Sequence, residues 1–289
     1  MIFAFFAAFV VEAGDHRSAG HTGTRPGTKD QAPGTKHQGP VGYDPPYVTP
    51  LILAVALLQD PCRGEGARHI ETAQRLGEAF DLAGAAEAYS AAVKSGCSDA
   101  RAAAIYVRGL IAARAADAQF GSTASLQPLR EAIGALEPYA ATDPVARAMQ
   151  AVVRAALPAA QHERGELTLL IDEMLRHESL QLEARLPGLP VISAHEAAGY
   201  FWLQLHLYDE ATRAFDAAGR RIGQTSHVML GAARAAAGRQ DVAAACGHYN
   251  RLVSWWGTPP ATPPEIVEAR GFLNQRQCAA LPVPPGTRR

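Results

Sequence analysis

The stretch GYFWLQLHLYDEATRAFDAA, residues 199–218, decides the fold of this chain. Small and aromatic residues alternate in it at helical intervals: Gly199, Trp202, Ala211, Phe215 and Ala218. Small residues let two helices approach closely, and aromatic rings fill the seam between them. The spacing therefore predicts two antiparallel helices, joined by a short turn and packed through Trp202 and Phe215.

Two other segments carry parts of the same pattern. The first holds Gly77, Phe80, Ala85, Tyr89 and Ala92, and the second holds Gly231 and Tyr249. Together the three segments resemble tetratricopeptide repeats (TPRs), which are helical hairpins of about 34 residues. In the first segment Phe80 and Ala85 are closer than in the repeat, and residues 98–185 resemble it only in helix length and alternation.

The resemblance implies an all-α fold, a TPR-like α-solenoid of antiparallel helical hairpins over residues 62–278. A plain helical bundle is the alternative. In the repeat family, the inner face of each first helix forms a groove for an extended peptide or a partner helix. Projected onto this chain, that groove is lined by the candidates Glu196, Tyr200, Leu203 and Gln204. The same residues could instead touch the next repeat.

Helix starts are marked by capping residues. Asp143-Pro144 supplies an N-cap and a first-turn proline, and Ser193-x-x-Glu196 is a capping box. Thr262-Pro263-Pro264-Glu265 combines the same signals for a last helix that ends near Cys278. These signals predict helices beginning close to residues 144, 194 and 263.

The two ends of the chain differ from the helical region. Residues 1–13 form a signal-like apolar segment that no Lys or Arg precedes, and residues 14–50 are a low-complexity segment expected to be disordered. Residues 51–61 contain a second apolar run, which is either the h-region of a signal or a helix packed on the first hairpin. Residues 279–289 read as a disordered tail. A membrane association is expected only through an uncleaved N-terminal segment.

Four cysteines form two pairs, and each pair brackets one predicted hairpin. Cys62 precedes the first hairpin and Cys97 follows it, so that antiparallel packing brings them together. Cys246 and Cys278 flank the last two helices, but Cys246 lies inside its helix, which makes this disulfide the weaker prediction. Disulfides indicate an oxidising compartment, and hence a secreted or periplasmic protein. The alternative is free thiols in a cytoplasmic protein.

The sequence argues against several classes of function. With 27 basic and 28 acidic residues the net charge is −1, and no basic stripe suggests a nucleic-acid partner. No C-x-x-C occurs, so neither a metal nor a cofactor is expected. Four His–Glu pairs are best interpreted as solvated helix faces: His69/Glu71, His162/Glu163, His177/Glu178 and His195/Glu196.

We therefore expect a non-catalytic protein–protein interaction module, a scaffold or adaptor of the bacterial cell envelope. Its partner would be an unknown protein or peptide. The alternative function is an accessory or catalytic helical domain of an envelope enzyme. Trp255-Trp256 has two readings, an exposed binding hot spot or a pair of rings that anchors the last helix.

Overall fold

The computed structural model describes Cys62, residues 64–118, 126–257 and 262–276, and Cys278. Within these residues the chain forms eleven α-helices and no strand. The helices are α1 (Glu65–Glu78), α2 (Leu82–Lys94), α3 (Ala100–Ala118), α4 (Gln127–Ala140), α5 (Pro144–Ala160), α6 (Arg164–Glu183), α7 (Ala194–Gln204), α8 (Tyr208–Arg221), α9 (Ser226–Gly238), α10 (Val242–Trp256) and α11 (Pro264–Gln275). The predictions for residues 1–61 and 279–289 lie outside the described part.

The first ten helices pair into five hairpins, and the last packs on the fifth. Each helix contacts the next one in sequence, and α3, α5, α7 and α9 also contact one another in that order. These four first helices form an inner layer, whereas the second helix of each hairpin lies on the outer side. The prediction of an all-α solenoid of helical hairpins is therefore confirmed.

Capping side chains begin several helices where the sequence predicts them. Asp143 accepts hydrogen bonds from the N–H groups of Val145 and Ala146, and both halves of the Ser193/Glu196 capping box are present. At α11 the expected cap is wrong, because Pro263 occupies the N-cap position without a side-chain bond. A residue before proline is held in an extended conformation, so Pro264 makes its neighbour the boundary and leaves Thr262 outside the helix.

The fourth and fifth hairpins meet around one aromatic ring. Phe215 of α8 is 1% exposed and lies between Gly199 of α7 and Gly231 of α9. A Cβ atom on either glycine would overlap this ring. Trp202 is also buried. The two glycines thus allow α7 and α9 to pack on the same side chain of the outer layer.

The first hairpin departs from the expected packing. Gly77 lies against Val191 of the loop between α6 and α7 instead of against its own partner helix. Phe80 has a positive φ of 64° and belongs to the buried cluster formed by α9, α10 and α11. Tyr89 of α2, in contrast, is buried in the main core. The Phe80 ring therefore lies outside the seam of the first hairpin and packs on the fifth.

Both predicted disulfides are formed. The Cα atoms are 4.6 Å apart in Cys62–Cys97 and 5.7 Å apart in Cys246–Cys278, within the usual range of about 4.4–6.8 Å. The second bond is possible because Cys278 lies beyond the end of α11, where its N–H donates to the Leu273 carbonyl. Two disulfides fit an oxidising compartment. None of the described helices is both long and apolar enough to span a bilayer.

Candidate docking surface on the inner helices

The amino ends of α7 and α9 hold a network of buried polar side chains. Among the described residues, the buried polar or charged ones all belong to this network or to the end of α6 that packs on it: Glu178, Gln181, Ser193, His195, Glu196, Ser226 and His227. Buried polar groups are costly unless they are hydrogen-bonded. The partners of these groups therefore decide whether the network serves the fold or is available to a ligand.

Glu196 is saturated by contacts within the chain. It is 2% exposed and accepts hydrogen bonds from the Ser193 N–H at 2.7 Å and from the Thr225 hydroxyl at 2.5 Å. Burial raises the pKa of the Glu196 carboxyl, and the hydrogen bonds from Thr225 and Ser193 oppose that rise. The carboxylate ties the start of α7 to the cap of α9.

One buried His–Glu contact corrects the interpretation as solvated helix faces for two of the four pairs, His177/Glu178 and His195/Glu196. Glu178 of α6 accepts a hydrogen bond from the Ala194 N–H at 2.7 Å, and its other oxygen meets Nδ1 of His195 at 2.5 Å. Both side chains are buried. The sequence could not reveal this pairing, because the contacting residues come from different helices rather than from adjacent positions.

His227 joins the fifth hairpin to the first. Its Nε2 lies 2.8 Å from the Gly77 carbonyl, which can only accept, so this nitrogen carries the proton. Nδ1 is buried and has no hydrogen-bond partner in the described residues. The Phe80 ring packs edge-on at 4.8 Å, and the neighbouring Ser226 hydroxyl donates to the Glu78 carbonyl at 2.6 Å. Burial lowers the pKa of His227 to about 4.

The carboxyl ends of the inner helices carry a second polar group, which is far more open. We call it the carboxyl-end cluster: Asp117 of α3, His162 after α5, Gln204 of α7, His206 after α7 and Arg234 of α9. Burial raises the pKa of the Asp117 carboxyl. The charges of the two histidines and Arg234, together with a hydrogen bond from Gln204, act in the opposite direction. Side chains from four inner helices therefore act on one carboxylate.

The arginines near Asp117 are already paired with other acids. Arg234 makes two hydrogen bonds to Glu268 of α11, at 3.0 and 2.6 Å. Arg114 forms a salt bridge of 3.1 Å with Glu265. Asp117 forms no ion pair within the described residues, although its side chain is exposed. The ends of four parallel helices add partial negative charge, so the surface favours a positively charged ligand.

The four predicted groove residues fall into two halves of α7. Glu196 and Tyr200 are used by the fold, since the Tyr200 hydroxyl donates to the His227 carbonyl at 2.9 Å. Leu203 and Gln204 are partly exposed at the open end, and the side-chain oxygen of Gln204 is buried without a partner. Peptide binding by all four stays a prediction. A peptide could reach Glu196 only if the Ser193 and Thr225 contacts opened.

Sequence reasoning missed the other members of the carboxyl-end cluster. A usable signal existed, because Asp117 and Arg234 lie near the carboxyl ends of inner helices and His162 closely follows the end of one. In residues 62–278 as far as they are described, no three His, Cys, Asp or Glu side chains are placed to hold a metal. No protein-family model, curated protein or solved structure matches the chain.

Proposed function

We propose that this chain is a non-catalytic protein–protein interaction module, a TPR-like scaffold or adaptor of the bacterial cell envelope. It binds an extended segment of a protein partner at the carboxyl-end cluster, and a Lys or Arg of that segment pairs with Asp117. One observation carries the proposal: four inner helices converge on an exposed carboxylate that has no ion-pair partner among the described residues.

The neighbouring groups suit a peptide better than a small molecule. Leu203 and Gln204 offer partly exposed side chains, one apolar and one amide, for contacts with a peptide. A charge-assisted hydrogen bond to Asp117 is worth about 1.5–3 kcal/mol. An anchor of that size, flanked by amide and apolar contacts, is typical of modest peptide recognition.

The envelope location rests on the disulfides. Such bonds form and persist in oxidising compartments and are rare in the cytosol, so their presence supports a secreted or periplasmic protein. The bonds also brace the first hairpin and the last helices of the array. Secretion itself is part of the proposal.

The test is capture of partners from an envelope extract by the oxidised full-length chain. Asp117→Asn should weaken binding roughly 10-fold to 100-fold, because it removes the charge from the anchoring hydrogen bond. Gln204→Ala should weaken the same partner less. The matched control is Asp172→Asn, which removes an equally exposed acid from the outer helix α6 and should leave capture unchanged.

The binding segment of a captured partner is then mapped with short peptides. Each Lys or Arg of that segment is replaced in turn by Ala. The proposal requires that one replacement lose its effect in the Asp117→Asn background, as a double-mutant cycle measures. Binding should also weaken on acidification at a higher pH than for an ordinary Asp, because burial raises the pKa of Asp117. Equal capture by all variants would refute the proposed site.

A further inference from the structure

A separate apolar cleft lies where the end of α1 meets the end of α10. It has a volume of about 360 Å³, and its walls are almost entirely apolar. Its lining consists of Gln74, Arg75, Glu78, Ala79, Trp255 and Trp256. The Trp255 side chain is 52% exposed. An exposed tryptophan beside an apolar cleft is typical of a docking site.

The two tryptophans play different parts in this cleft. Trp256 stacks on Phe80 of the first hairpin with ring centroids 6.1 Å apart, so it anchors the seam between the hairpins. Its indole N–H is buried and has no acceptor among the described residues. Trp255 lies beside it, with the centroids of the two indole rings 6.1 Å apart, and is exposed to solvent. Trp256 therefore packs on the first hairpin, and Trp255 remains the candidate for a binding hot spot.

We propose that the C-terminal segment of the same chain, residues 279–289, docks in this cleft through Leu281-Pro282-Val283-Pro284-Pro285. The occupant belongs to the protein itself, so the inference stands apart from the proposed partner binding.

The C-terminal segment is long enough to reach the two tryptophans. The chain that precedes the segment is fixed at Cys278, whose disulfide partner Cys246 lies on α10, the helix that carries both tryptophans. Nine residues of helix separate Cys246 from Trp255, a rise of about 13 Å. From Cys278 to Pro285 the chain has seven residues, which span about 22 Å in a polyproline II conformation. The prolines can therefore reach the indole rings.

The proline-rich composition of the segment matches the aromatic rings of the cleft. Proline-rich segments adopt polyproline II with little loss of entropy and are recognised by grooves lined with aromatic rings. The other candidate within the chain is the apolar run at residues 51–58, and it is less suitable. The combined volume of its eight apolar side chains is too large for this cleft, which is near the small end of the usual range for ligand pockets, about 300–1,000 Å³.

Docking would cover Trp255 and tie α10 to α1 across the seam that Phe80 and His227 form. The test measures acrylamide quenching of tryptophan fluorescence in the oxidised full-length chain. Leu281→Asp with Val283→Asp should raise quenching, because Trp255 loses its cover. A synthetic peptide of residues 279–289 should restore protection to this variant at millimolar concentration, the effective concentration of a short tether. Adding Trp255→Phe should abolish the difference.

The matched control places the same two charges outside the apolar stretch, as Gly286→Asp with Thr287→Asp, and should leave quenching unchanged. Protection that disappears on dilution would assign the cleft to the tail of a second copy and overturn the proposal. Equal quenching of the parent and the Leu281/Val283 variant would overturn it as well. Neither result bears on capture by Asp117, so the two proposals fail separately.

Discussion

The two ends of the inner helices use polar residues in opposite ways. At the amino ends of α7 and α9, Glu196, His195 and Ser226 are buried and bonded to other parts of the chain. At the carboxyl ends, Asp117 and His162 are exposed, and Gln204 is partly exposed. Buried, satisfied groups hold a fold together, whereas exposed, convergent groups are available to a ligand.

The difference arises from where the first hairpin ends. Glu78 and Phe80 contact the start of α9, so this end of the inner face is filled by the chain itself. On the other side, α11 neutralises Arg114 and Arg234, whereas Asp117 has no ion pair among the residues that the structure describes. A groove that looks continuous along α7 in the sequence is thus closed over one half and open over the other.

The sharpest test of this contrast compares one carboxylate from each end. Glu196→Ala should lower the free energy of unfolding by about 4 kcal/mol, because two buried donors lose their acceptor at about 2 kcal/mol each. Asp117→Ala should cost less than about 1 kcal/mol, since the side chain is exposed. Urea unfolding of the oxidised proteins measures both values. Similar losses for the two variants would abolish the distinction between the ends.

The amino-end network should also be the pH-sensitive one. The pKa of His227 falls to about 4 in the folded chain from 6.5, so unfolded protein takes up the proton first as the pH drops. The neutral His227 ring makes its full contribution to the free energy of unfolding above pH 6.5. This contribution, about 3 kcal/mol, is lost as the pH falls from 6.5 to 4. Unfolding in urea at a series of pH values measures the loss.

The control for this pH dependence is His227→Gln, which keeps a donor for the Gly77 carbonyl but does not titrate. Its stability should decline less over the same interval, and the difference from the parent isolates the imidazole from Glu196 and Glu268, whose pKa values are also shifted. A parallel decline in both proteins would mean that His227 is not responsible.

The packing beneath both ends gives the smallest expected effect. Gly231→Ala should destabilise the chain by about 2 kcal/mol, because the new methyl group overlaps the Phe215 ring. Gly134→Ala, on α4, meets nothing within 4 Å and should instead stabilise by about 0.5–1 kcal/mol. Thermal unfolding of the pair provides the comparison. If both substitutions were neutral, the α7–α8–α9 contact would be looser than described.

Prediction from sequence succeeded where contacts are local. The hairpin at residues 199–218, the caps at Asp143 and Ser193 and the Cys62–Cys97 bond all join residues close in the chain or at the two ends of one hairpin. It failed for Gly77 and Phe80, which were expected in the seam of their own hairpin but pack on Val191 and on the fifth hairpin. The Gly77–His227 contact spans 150 residues, and periodicity carries no information over that distance.

The candidate site divides in the same way. The spacing of residues on α7 predicted Leu203 and Gln204 as groove residues, which stays untested, but Asp117 and Arg234 come from other repeats whose register the sequence left open. Burial of Glu196 could not be foreseen, since its partner Thr225 belongs to the next hairpin.

By itself the sequence determined the helices, their pairing into hairpins and the positions where they begin, because helical period, capping and small–aromatic packing act over a few residues. Only the tertiary structure decided which half of the inner face stays open and where the first hairpin meets the fifth. Those outcomes depend on how small rotations between successive hairpins add up along the array, and that sum brings together side chains far apart in the chain.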